Sequence, residues 1–84
     1  MYEVLLSSHA ERDLKRLSAE LFGRVVAKMK ALSQDPLPPG CKKLVGSKHD
    51  YRIRVGDYRV IYELDAGAKE VRVTRVRHRR EAYR

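Results

Sequence analysis

From Tyr2 to Ser7, Tyr2, Val4 and Leu6 alternate with Glu3, Leu5 and Ser7, the period-two pattern of a strand. Leu5 on the second face implies that both faces are partly covered. Ser8 with Glu11 three residues on fits a capping box, so a helix is predicted to begin there. Ala10, Leu14 and Leu17 follow at helical spacing, opposite Arg12, Lys15 and Arg16. Ser18 is the expected N-cap of a second helix, with Leu21, Phe22, Val25, Val26, Met29 and Leu32 as its apolar stripe. The short Ser18-Ala19 joint predicts that the two helices are antiparallel neighbours. Asp35-Pro36-Leu37-Pro38-Pro39-Gly40 ends the second helix, because proline lacks a donor and disfavours helix in the residue before it.

Beyond this loop the period returns to two. Lys43-Leu44-Val45 predicts a brief strand, and Tyr51 to Tyr62 predicts a hairpin turning at Gly56-Asp57, where glycine supplies a positive φ. Alternation places Arg52 and Arg54 on one face and Tyr51, Ile53 and Val55 on the other. Asp65-Ala66-Gly67-Ala68 predicts the next turn, and Glu70 to Val76 the last strand. Val71 and Val73 share a face with which Val76 is out of phase. Either the strand bulges near Arg75, or Val76 packs on the opposite side. The order predicts an α+β fold: an N-terminal strand, an antiparallel helical hairpin, then an antiparallel β-meander. Helices on one sheet face would bury Tyr51, Ile53, Val60 and Tyr62, leaving the other face to arginines.

Eighty-four residues leave room for a single domain spanning 1–84. The net charge of +8 points to a polyanionic partner: nucleic acid, an anionic surface or an acidic protein segment. No apolar run approaches the roughly 20 residues of a membrane span. No basic region precedes an apolar stretch at the N-terminus, so no secretory signal is expected. A single cysteine, Cys41, excludes an internal disulfide and fits a reducing cytoplasm. It has no neighbours at metal-ligand spacing, and no metal or small-molecule cofactor is expected.

The candidate chemistry is therefore cationic. Arg52 and Arg54 on one strand, with Arg59 across the turn, would repel one another unless an anion binds between them. Guanidinium forks suit phosphate, whose oxygens they bind in pairs. A second cluster, Arg77-His78-Arg79-Arg80, follows the last strand, with Tyr83 close behind. His78 is the side chain there that ordinarily titrates near neutrality. Tyr83 could stack on a base or act as a phenolic base. Paired carboxylates for two-metal phosphoryl transfer are absent. RNA cleavage would then use the ribose 2′-OH as nucleophile, with arginines stabilising the charge that builds on phosphorus.

Together the leading strand, the helical hairpin, Lys43-Leu44-x-Gly46, Tyr51-Arg52-Ile53-Arg54, Asp57-Tyr58-Arg59-Val60-Ile61-Tyr62 and Val76-x-His78-Arg79-Arg80-Glu81-x-Tyr83-Arg84 resemble the RelE/ParE toxin superfamily, most of all its RelE branch. The resemblance covers essentially the whole chain. It implies a type II toxin with an acidic antitoxin partner, and an endoribonuclease that cuts mRNA on the ribosome without a metal. ParE-like members instead poison DNA gyrase on the same fold. The resemblance assigns Arg52 and Arg54 to RNA contact and catalysis, and Arg59 to the scissile phosphate. Arg79 matches a group that protonates the leaving oxygen, and Tyr83 a general base, with His78 an alternative acid or base. Lys43, Arg77 and Arg80 complete the expected RNA-binding set. Arginines stand here where the best-known RelE pattern has lysines at 52 and 54, keeping charge but not easy proton transfer.

Overall fold

The computed structural model describes residues Met1–Ala82. Its elements are β1 (Glu3–Leu6), α1 (Ser8–Lys15), α2 (Ala19–Ala31), β2 (Lys42–Lys43), β3 (Asp50–Val55), β4 (Tyr58–Asp65), β5 (Glu70–His78) and α3 (Arg79–Ala82). They form one five-stranded sheet in the order β1-β5-β4-β3-β2. The meander from β2 to β5 is antiparallel as expected, while β1 lies parallel to β5, so the sheet is mixed. A parallel neighbour requires a crossover, and the helical region supplies it. Ala10 and Leu14 of α1, with Val25 and Met29 of α2, pack into one core with Ile53, Val55, Val60, Tyr62, Val71, Val73 and Val76.

The join of β1 to α1 differs by one residue from the sequence expectation. Ser7, not Ser8, is the N-cap; its extended backbone (φ −74°, ψ 163°) lets Oγ accept from the Ala10 N–H at 3.0 Å. The same hydroxyl donates to the Thr74 carbonyl at 2.8 Å, and the Ser7 N–H reaches the Val73 carbonyl at 2.9 Å. One serine thus ends the strand, starts the helix and ties both to β5. Ser18 caps α2 as expected, accepting from the Leu21 N–H at 3.2 Å.

The phase problem in β5 is resolved by a bulge. Ile61 faces Arg75 and Tyr62 faces Val73, so Thr74 has no partner in the ladder. Its hydroxyl instead donates to the Ile61 carbonyl at 3.2 Å. The extra residue restores Val76 to the core face, where it is buried across from Val60.

Beyond Leu6 the edge of β5 loses its strand neighbour, and α1 takes over. Asp13, only 7% exposed, accepts from the Val76 N–H at 2.9 Å. The Arg75 Nε and Nη2 reach its two oxygens at 2.9 and 3.2 Å. Burial raises the carboxyl pKa, but the Arg75 fork and the Val76 N–H outweigh it and hold the group below its ordinary value.

Tyr62 is fully buried and stacks on Tyr51 with ring centroids 6.0 Å apart. Its hydroxyl donates to the Pro36 carbonyl at 2.6 Å, anchoring the proline loop beneath β4. Burial, ahead of the neighbouring Cys41, pushes the phenol far above its usual range, so it stays a donor at any working pH. Tyr62→Phe is expected to cost about 1 kcal/mol, a Tm loss of roughly 4–8 °C, in thermal melts. An unchanged Tm would show that the loop is not anchored by this bond.

Candidate nucleic-acid interface

The β3–β4 turn is where the cations gather. Gly56 has φ +59°, the positive value that the tight turn requires. Arg54 and Arg59 are paired across the ladder on the face opposite Val55 and Tyr58. Arg54 Nε donates to the Gly56 carbonyl at 3.2 Å, and Arg59 Nη1 to the Tyr58 carbonyl at 3.2 Å. The chain after β5 then folds back onto this turn. The Arg79 N–H donates to the Asp57 carbonyl at 2.7 Å, and Arg79 Nε lies 3.9 Å from Asp57 Oδ1.

Arg52, Arg54, Arg59 and Arg79 consequently share one electrostatic field. Burial, then Arg54, Arg52 and Arg79 in turn, lowers the pKa of Arg59, and only Asp57 opposes them. Mutual repulsion of this kind is relieved by an anion. Gly40, Lys42, Arg52, Arg54 and Arg59 line a cleft of about 200 Å³ with no carboxylate on its wall.

Two of the expected site residues lie off the arginine face. Lys43 was expected to bind RNA, but β2 starts one residue earlier than predicted. That offset pairs Lys42 with Arg52 and Lys43 with Tyr51, so Lys42 is the lysine on the arginine face. His78 was expected to meet the arginines, yet it pairs with Tyr58, on the core side of β4. Its ring meets Tyr58 edge-on with centroids 5.4 Å apart, and Nδ1 accepts from the Arg80 N–H at 3.3 Å. Alternation along a regular strand separates it from Arg52, Arg54 and Arg59.

Arg77 is drawn aside: its Nη2 lies 3.4 Å from Glu81 Oε2, and it lines a small cleft with Asp13, Arg16 and Tyr58. Arg80 is exposed on α3. Tyr83 lies outside the described residues. Asp13 was overlooked in the sequence, although its spacing with Ala10, Leu14 and Leu17 puts it within the apolar stripe of α1. A carboxylate in such a stripe needs a buried partner, and that was the available signal.

A larger cavity, about 450 Å³, lies at the other end of the hairpin among His49, Tyr51, Glu63 and Asp65, and no Lys or Arg lines it. Among the described residues no group of three or more His, Cys, Asp or Glu could hold a metal ion. No described helix is long and apolar enough to cross a membrane.

The fold and the cleft define a small α+β domain whose sheet presents clustered guanidinium groups on one face. The chain belongs to the ParE toxin family of type II toxin–antitoxin systems (parDE), whose profile matches residues 4–83. It is 33% identical over 87 residues to toxin RelG of Mycobacterium tuberculosis, covering 99% of this chain and 97% of RelG. The toxin–antitoxin complex RelBE2 from the same organism contains a chain with TM-score 0.82 and 32% identity, the match covering 92% of this chain and 96% of that one. The archaeal RelE–RelB complex from Pyrococcus horikoshii gives TM-score 0.84 at 27% identity, covering 95% and 97%. The N-terminal strand, two helices and mixed sheet are thus the RelE fold.

Proposed function

We propose that this toxin is a ribosome-dependent endoribonuclease that cleaves mRNA in the A site. The observation that carries the proposal is the gathering of Arg52, Arg54 and Arg59 in one cleft, with Arg79 docked on the adjoining β3–β4 turn. In this mechanism the ribose 2′-oxygen attacks the adjacent phosphorus, and the bond to the 5′-oxygen breaks. The products are a 2′,3′-cyclic phosphate and a 5′-hydroxyl. Arg54 and Arg59 lie against the non-bridging oxygens and stabilise the added negative charge, while Arg52 binds the strand beside them. Arg79 hydrogen-bonds the leaving 5′-oxygen and donates the proton that it takes up. The 2′-hydroxyl proton passes to Tyr83, acting as its phenolate. His78 is a positioning residue: by holding the Arg80 N–H it fixes the start of α3 and so the place of Arg79.

The test is induction in cells with mapping of mRNA 5′ ends, alongside a gyrase supercoiling assay. Cuts in frame within translated messages are expected, with supercoiling unaffected. The ParE-named family profile favours a second reading, gyrase inhibition. Blocked supercoiling without cuts would establish that reading and remove the nuclease.

The partner we assign is an acidic antitoxin segment that orders on contact with a chain of net charge +8. Relatives of this chain were solved as complexes with RelB antitoxins. Exposed Phe22 and Leu37 offer apolar anchor points for such a segment. Affinity is expected to fall by on the order of tenfold between 0.1 and 1 M salt, as the Debye length shrinks from about 10 to about 3 Å. An affinity indifferent to salt in calorimetric titrations would rule out charge as its main source.

A further inference from the structure

We infer that Lys42 and Arg52 form a second phosphate subsite, holding the RNA phosphate one nucleotide away from the one being cleaved. The inference rests on the nuclease reading and extends it to a residue outside the arginine set. Lys42 and Arg52 lie directly across from each other on β2 and β3. Arg54 and Arg59 form the corresponding pair nearer the turn, on the same face. Arg52 and Arg54 are two residues apart on one strand, roughly 7 Å, and from β2 to β4 is two strand spacings, roughly 10 Å. The two rows are thus offset along β3, offering a separate footing to each of two successive phosphates. Both rows nevertheless line one continuous cleft, with Gly40 as its remaining wall.

Gly40 contributes backbone alone to that wall, at φ +89°. With Arg79 at the turn end, the Arg54–Arg59 row takes the reacting phosphate and the Lys42–Arg52 row takes its neighbour. RNA is favoured over an acidic peptide because the rows are set in register, as a repeating phosphate backbone requires. Lys43, of equal charge and next in sequence, is paired with Tyr51 on the other side of the sheet and takes no part.

The experiment measures binding of the purified chain to a labelled, uncleavable 2′-O-methyl hexanucleotide by fluorescence anisotropy across a salt series. Lys42→Ala is expected to weaken binding about threefold to tenfold at low salt and to flatten the log–log salt slope by about 0.7, the loss of one phosphate contact to a single strand. Lys43→Ala, with the same loss of net charge, is expected to stay close to wild type. Equal losses in both variants, or an unchanged slope in Lys42→Ala, would overturn the subsite. So would a loss in Lys42→Ala seen against a poly-glutamate peptide but not against RNA. Wild-type protein that neither binds the oligonucleotide nor cuts message on programmed ribosomes would instead remove the nuclease reading beneath it.

Discussion

Arg59→Ala is expected to lower mRNA cleavage by about 10²–10³-fold while leaving the fold intact. Arg59 faces Arg54 across the ladder and feels the charge of Arg79, which is docked on Asp57. In the free protein this crowding is unfavourable: burial, and then the charges of Arg54, Arg52 and Arg79, lower the pKa of the guanidinium. In the transition state the same crowding meets added negative charge and becomes favourable. The two effects have opposite consequences for a variant. Removing the side chain removes transition-state stabilisation, but it also relieves repulsion in the ground state. Arg59→Ala should therefore melt at or above the wild-type temperature while being nearly inactive. Arg59→Lys, with charge but no fork, should fall in between. Single-turnover cleavage on programmed ribosomes, with thermal melts in parallel, measures both quantities. Near-wild-type cleavage in Arg59→Ala would remove this residue from the mechanism.

Asp13→Ala is expected to destabilise the domain by about 2–3 kcal/mol, a Tm loss on the order of 10–20 °C. The Asp13 carboxylate is 8% exposed and receives both the Val76 N–H and the Arg75 fork. Truncation leaves a buried donor and a guanidinium without their acceptor, and Arg75, at 34% exposure, regains only part of its hydration. Asp13→Asn keeps an oxygen for the Val76 N–H and should cost less. The acid dependence follows from the depressed carboxyl pKa in the folded chain. Its stabilising contribution is complete above the unfolded Asp value of about 3.9 and is lost as pH falls through the lower, native value. Urea melts from pH 6 to pH 2 should show this loss in the wild type and a flatter profile in Asp13→Asn. Parallel profiles would mean that other carboxylates govern acid unfolding.

Much of the scaffold was legible because it is written locally. The Gly56-Asp57 turn, the alternation around it and the Ser18 cap each depend on residues within a few positions of one another. The features that escaped depend on distant partners. Ser8 with Glu11 fitted a capping box, yet Ser7 prevails because its hydroxyl also bonds Thr74, 67 residues away. Asp13 acquires its role only where β5 brings Val76 and Arg75 to it. The site divides in the same way. The convergence of Arg52, Arg54 and Arg59 follows from one hairpin. The choice of Lys42 over Lys43 depends on where a two-residue strand begins, and the side taken by His78 depends on register with Tyr58. A one-residue error in either inverts the face.

The unpaired Thr74 gives β5 one residue of slack. A relative lacking a single residue between Val73 and Arg75 would form a plain ladder, with Val76 still inside and Arg79 still beside Asp57. A relative with one residue more would have to make a second bulge or turn the strand's last valine outward. Length variation along this strand should therefore be lopsided: losses of one residue absorbed, gains excluded, with the toxin's arginine cluster kept in place by the asymmetry.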